Sequence, residues 1–359
     1  MAPQKRPTWL LQAQKSSLQA AMSFGMYLGS WAGPWPPEPS FYVEIPATIS
    51  PTKGSFKLIF YVPKSYARRT PDSPYPVFVN FHGGGMSIGS GTDDARWAKD
   101  VIQHLGAVVV SVEYRLAPEH PFPTAVQDSA DAILYLVDNA QELCLDKDRI
   151  VLSGFSSGGN LVFTTPILLE QLRSERSVTS ESDADKHVLE EQVDEFGVPV
   201  SRLPPGYQMP DFTIRALIAW YPSVDFTQTR DERRLSNPHP EVSMPSSMSS
   251  MFDTGYIYNS HLNSYESAHP LLSPGTAPSA LLEAALPSKI VIYTCQFDTL
   301  QNEGEVFAKR LQEELGKDVE FKMVEKVTHA WDKMPNPLWP PHRIEEVYTD
   351  ACEMVRDAF

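Results

Sequence analysis

Gly154-Phe155-Ser156-Ser157-Gly158, continued by Gly159-Asn160, is the stretch that decides the fold. Arg149-Ile150-Val151-Leu152-Ser153 precedes it; short, β-branched and apolar, it reads as a buried strand. Residues 161–172 follow and read as a helix. A serine between glycines, set between a strand and a helix, sits on a turn so sharp that only small neighbours let the two elements pass. Such a turn strains the serine backbone and holds its hydroxyl at the helix N-terminus, where the dipole favours developing negative charge.

Strands and helices alternate on both sides of this unit. Residues 41–45 and 56–62 read as two strands joined by a Pro/Lys/Gly turn, and 77–81 as a third strand that runs directly into His82-Gly83-Gly84-Gly85. The continuous apolar run 107–112 suits a strand buried on both faces of a parallel sheet. Further strands are expected at 214–220, 289–294 and 319–325, and helices at about 93–105, 124–140, 303–315 and 343–358. This order predicts an α/β fold: a mostly parallel eight-stranded sheet with the first two strands antiparallel and helices on both faces.

Two regions depart from the alternation. Residues 174–195 hold eight acidic residues against Arg176 and Lys186, with little apolar periodicity, and read as an exposed insertion. From 225 to 270 the chain is rich in Met, Ser, Tyr and Pro, with Met244, Met248, Met251 and Phe252 at roughly helical spacing.

The 359 residues are 42% hydrophobic, and the formal net charge of -15 argues against nucleic acid or an anionic membrane surface as a partner. Cys144, Cys295 and Cys352 are too few and too scattered for a disulfide framework or a zinc site, so reduced thiols in a cytoplasmic protein are expected. No secretory signal is read at the N-terminus. Residues 16–37 carry no charge, yet their serines, glycines and prolines argue against a membrane span. A helix packed over a pocket is expected there, with peripheral membrane contact through residues 9–32 as the alternative.

An acyl-transfer serine needs a base, an orienter for that base and donors for the oxyanion, all at the carboxyl ends of strands. The backbone N–H groups of Gly83 and Gly84, with that of Ser157, fit the oxyanion donors; His82 is read as scaffolding. Asp298, beyond the 289–294 strand, fits the orienter, although an aspartate there also suits a helix cap. His329, after the last strand, fits the base, while His104 and His120 precede the serine and His187, His239, His261 and His269 fall in the insertion or in the region after 225. The order Ser156, Asp298, His329 is that of an α/β-hydrolase triad.

Together, His82-Gly83-Gly84-Gly85, Tyr114-Arg115-Leu116-Ala117-Pro118-Glu119-His120-Pro121-Phe122-Pro123 and the serine motif resemble the hormone-sensitive-lipase-like family of α/β-hydrolases, over about 77–335. The resemblance implies a serine carboxylesterase without metal or cofactor. It also implies a cap over the site. The chain then divides into an N-terminal cap segment (1–45), a catalytic core (46–224) with the acidic insertion at about 174–210, a second cap segment (225–275) and the remaining core (276–359). Four departures stand out: Phe155 and Ser157 where the family has aspartate and alanine, Met86 where it has an aromatic, and Asp298-Thr299-Leu300-Gln301-Asn302-Glu303 in place of Asp-Pro-Leu-Arg-Asp-Glu.

The expected substrate is a small or medium apolar carboxylic ester, cleaved through an acyl-enzyme by a protein that could pair as a homodimer. The alternatives are acyl transfer, lactone hydrolysis or non-hydrolytic cyclisation in a secondary-metabolite pathway, and a ligand-binding, receptor-like use of the same fold.

Overall fold

The apolar runs pair into one eight-stranded sheet: β1 (Phe41–Pro46), β2 (Ser55–Tyr61), β3 (Tyr75–Phe81), β4 (Val108–Glu113), β5 (Leu145–Phe155), β6 (Ile214–Trp220), β7 (Lys289–Phe297) and β8 (Asp318–Thr328). Their spatial order is β1-β2-β4-β3-β5-β6-β7-β8. The β1–β2 and β2–β4 pairs are antiparallel and all the others parallel. The computed structural model describes residues 8–30, 35–179, 193–194, 198–243, 246–257, 266–333 and 343–358.

Among these residues there are nine α-helices: α1 (Thr8–Ser30), α2 (Ala95–Leu105), α3 (Thr124–Asp138), α4 (Ser157–Thr179), α5 (Arg230–Ser236), α6 (Ser246–Tyr256), α7 (Ser279–Ala285), α8 (Gln301–Glu313) and α9 (Ile344–Met354). Side chains alternate across the sheet with the period of two that a strand dictates. Val77, Val79 and Phe81 of β3 enter the core that holds α3, α4 and α8, through residues such as Ile133, Leu161 and Phe307. Phe78 faces the other way, into a core with Trp97 of α2 and Tyr348 of α9. Both faces are thus covered, as parallel strands require.

Several elements are longer than their sequence pattern. β5 starts at Leu145 and α4 begins at Ser157, taking Gly158 and Gly159 into its first turn. Those glycines read as loop because of their flexibility, but they serve close approach inside a helix. β1 is the sheet edge, so residues 41–45 go with the sheet. Of the acidic stretch, 174–179 extends α4, whereas 180–192 and 195–197 lie outside the described residues. Asp194 within it accepts from buried His269 Nε2 at 2.8 Å. The helical spacing after 225 is realised in α6, which carries Met248, Met251 and Phe252, while Met244 lies outside the described residues. Among the described residues no helix is long and apolar enough to cross a membrane.

Candidate active site

Ser156 occupies the turn between β5 and α4 at φ +55°, a left-handed conformation that a non-glycine residue adopts only under constraint. Its N–H donates to the Trp220 carbonyl at 2.8 Å, and its own carbonyl accepts from Asn160 at 3.2 Å. Small neighbours are obligatory here. A Cβ built on Gly158 would stand 2.0 Å from the Phe81 carbonyl oxygen and 2.6 Å from that of His82. Helix α4 therefore starts in backbone contact with the end of β3.

β7 and β8 carry the two partners of the serine. After an irregularity at Cys295–Phe297, the pairing resumes with Phe297 opposite Thr328. Asp298 and His329 are the next residues on the two chains, so the last rung of the ladder sets them side by side. The sequence pattern ends both strands too early, since the irregularity breaks the apolar run. His329 Nδ1–H donates to Asp298 Oδ2 at 2.7 Å, which leaves Nε2 to accept from Ser156 Oγ at 2.8 Å. Asp298 is 2% exposed, and its other oxygen accepts the Leu300 N–H at 3.1 Å. Asn237, beyond α5, donates its amide to the carbonyls of Gln296 (2.9 Å) and Asp298 (2.8 Å), fixing the loop that carries the acid. A hydroxyl in this series can pass its proton to imidazole as it attacks a carbonyl carbon.

The glycine triplet closes the same site. Gly84 has φ +118°, and a Cβ there would meet the Ile88 carbonyl at 2.1 Å. Gly83 approaches the elbow so closely that its Cβ would lie 3.1 Å from the Phe155 carbonyl and 3.5 Å from Ser156 Cβ. His82 donates from Nδ1 to the Gly83 carbonyl at 2.7 Å and stacks on Tyr114 at 4.2 Å, while the Tyr114 hydroxyl donates to the His82 carbonyl at 2.7 Å. Gly83, Gly84, Ser156, Ser157, Asp298 and His329 all border one cavity of about 330 Å³.

The rest of that cavity wall comes from places the motifs do not mark. Leu18, Met22 and Met26, at four-residue spacing along one face of α1, cover one side. Gln19 of the same helix accepts the Gly89 N–H at 2.7 Å, and Lys15 pairs with Glu119 at 2.7 Å. Phe252 and Tyr256 of α6 add aromatic wall.

A charged cluster supports the elbow from below. Lys333 Nζ lies 3.6 Å from the centre of the Phe155 ring, 2.9 Å from Asp94 and 3.1 Å from Asp332. Asp332 in turn accepts from the hydroxyls of Tyr221 (2.6 Å) and Tyr348 (2.5 Å). Phe155 stacks on Trp220 at 5.5 Å, so the residue at this position supports the turn through aromatic packing and a cation–π contact.

Asp93, also on the cavity wall, has its carboxyl pushed up to about 6 by burial, with the Asp94 carboxylate adding to the rise and His82 and Lys333 opposing it. Its folded value exceeds the unfolded one, so stability falls as pH rises from about 4 to about 6 and stays level above. Asp93→Asn keeps an acceptor for the Ser90 N–H and never ionises. It is expected to raise stability at pH 8 by about 1–2 kcal/mol, a gain that vanishes by pH 4. Thermal melts at pH 4, 6 and 8 read this directly; an equal shift at all three values would assign the effect to packing.

A family profile described as alpha/beta hydrolase fold matches residues 78–333. An arylesterase of Saccharolobus solfataricus is 30% identical over 288 residues, covering 79% of this chain and 75% of that protein. Lipase 2 of a Moraxella species is 31% identical over 249 residues, 69% of this chain and 52% of its own. Human hormone-sensitive lipase is 37% identical over 91 residues, 25% of this chain and 8% of the lipase. In fold, an esterase of Pyrobaculum calidifontis superposes with a TM-score of 0.70 at 22% identity, covering 97% of this chain and 91% of that one. The profile spans β3 through the Lys333 cluster, and with it the glycine triplet, the elbow and both strand ends that meet at Ser156: the chain belongs to the α/β-hydrolase fold family.

Proposed function

We propose that the protein is a serine carboxylesterase acting on small or medium apolar esters, with Ser156 as nucleophile, His329 as base and Asp298 as its orienter. The observation that carries this reading is the continuous hydrogen-bonded series Ser156 Oγ–His329–Asp298 at 2.8 and 2.7 Å on the floor of a cavity. Ser156 Oγ adds to the ester carbonyl carbon as its proton moves to His329 Nε2, and the carbonyl electrons go to oxygen. The N–H groups of Gly83, Gly84 and Ser157 hold that oxyanion, each worth about 10²–10³ in rate. His329 then protonates the leaving alcohol as the carbonyl re-forms. Water, deprotonated by His329, attacks the acyl-enzyme, and the proton returns to Ser156 as the acid leaves.

The cavity wall of Leu18, Met22, Met26 and Phe252 favours an apolar acyl or alcohol group, and its volume suits a small one. The three cysteines are buried and unpaired, which fits a reducing, cytoplasmic setting. Initial rates on p-nitrophenyl esters from acetate to dodecanoate test the reading. Turnover is expected to peak at short acyl chains and to fall by at least about tenfold at dodecanoate, as chain volume exceeds the cavity. A flat profile overturns the small-substrate assignment. Absence of turnover, together with no labelling of Ser156 by a serine-reactive phosphonate, overturns the enzyme assignment.

A further inference from the structure

We propose that Arg230 forms a subsite for a second, uncharged oxygen of the substrate, so that the ester handled best carries a carbonyl, ether or hydroxyl beyond the scissile bond. The inference rests on the esterase reading of the Ser156 cavity.

Arg230 opens α5 and stands in the cavity wall beside Phe226 and Phe252. Its side chain is 16% exposed, and removing a guanidinium from water is costly unless its donors are met. Asp253 of α6 meets two of them: Nε donates to Oδ2 at 2.7 Å and Nη2 to Oδ1 at 2.5 Å. A guanidinium has five N–H donors. Among the described residues Nη1 bonds to nothing, so this cavity-lining arginine keeps a pair of donors uncommitted.

Another arginine on the same helix shows the contrast. Arg233 is 1% exposed and turns away from the cavity, its Nε 3.0 Å from Glu303 and its Nη2 donating to the Asp225 carbonyl. Arg233 is therefore spent on the scaffold, whereas Arg230 keeps donors for a visitor.

The visitor's atom is an uncharged acceptor. Asp253 already neutralises Arg230. The wall also carries Asp93, Asp94 and Asp298, and its other lysine or arginine, Lys333, is held between Asp94 and Asp332. Four carboxylates against two such cations repel an anion, whereas an ether or carbonyl oxygen accepts from Nη1 without a charge penalty. A wall built to donate also penalises an analogue that lacks the acceptor, since the donors are then left unmet.

Isosteric pairs test the subsite: p-nitrophenyl 3-methoxypropanoate against pentanoate for the acyl side, and 2-methoxyethyl acetate against butyl acetate for the alcohol side. p-Nitrophenyl hemisuccinate supplies the anionic arm, and p-nitrophenyl acetate a substrate too short to use the subsite. For the wild type, kcat/KM is expected to favour the oxygenated member of one pair by about tenfold, the worth of one hydrogen bond to a charged donor, with hemisuccinate below pentanoate. Arg230→Met is expected to abolish that preference while acetate turnover stays within about threefold. Because the single variant strands the Asp253 charge, Arg230→Met with Asp253→Asn provides the same reading should the single variant fail to fold. Acetate turnover with no oxygen preference in the wild type, or a preference that survives in either variant, overturns the subsite alone. Failure of the wild type on every ester, acetate included, overturns the esterase reading and the subsite with it.

Discussion

Ser156→Ala is expected to lower ester turnover by about 10⁴–10⁶-fold, because Ser156 supplies the hydroxyl bonded to His329 Nε2 and the residual rate comes from binding and the oxyanion donors alone. The substitution removes one oxygen from a partly buried position and leaves the φ +55° turn, the Trp220 bond and the Gly158 contact as they are. Stability is therefore expected to change by less than about 1 kcal/mol. Three readouts belong together: kcat/KM on p-nitrophenyl butyrate, the mass shift on phosphonate labelling, and the melting temperature. Lost turnover and labelling with unchanged melting assign the nucleophile. Turnover within about tenfold of wild type would move the nucleophile elsewhere.

Gly158→Ala is the second large effect, and it works through the backbone. The new methyl would stand 2.0 Å from the Phe81 carbonyl and 2.6 Å from that of His82, and neither acceptor can rotate aside as a side chain would. α4 must back away from β3, which carries Gly83 and Gly84 just beyond its end. A shift of about 1 Å in those amides relative to Ser156 is enough to cost about 10²-fold in turnover. The same separation opens the core between Phe81 and Leu161, so a loss of about 3 kcal/mol or more in folding free energy is expected. Urea denaturation and kcat measured on one preparation give both numbers. Wild-type kcat in a well-folded Gly158→Ala would show that the glycine triplet is not held by this contact.

Much of the fold was legible because its signals are local. The runs 77–81 and 107–112 are apolar with little interruption, and each is followed by turn chemistry that ends it. The Ser156 motif carries its strand and helix with it. The positions of Asp298 and His329 were readable as residues just past strands. Their pairing was expected from the triad order, but the register that delivers it, with Phe297 opposite Thr328 after an irregularity, is recorded in no sequence pattern. The cavity wall was least legible. Arg230 looks like one more charge at a helix start, and only the approach of Asp253 from α6 makes it a half-used donor. Phe155 reads as a departure until Lys333 is seen lying over its ring. Each of these meanings lives in a contact between residues distant in the chain.

Helix α1 gives the molecule a division of labour. It contributes Leu18, Met22 and Met26 to the cavity but no strand to the sheet, and a hydrogen bond through Gln19 and an ion pair through Lys15 tie it down beside its apolar face. The reacting atoms depend on strand register and glycine contacts that tolerate almost no change. Part of what the cavity admits is set by three side chains of a helix that adds no strand to that register. Selection can thus retune the diet of such a protein through its first helix while its chemistry stays fixed.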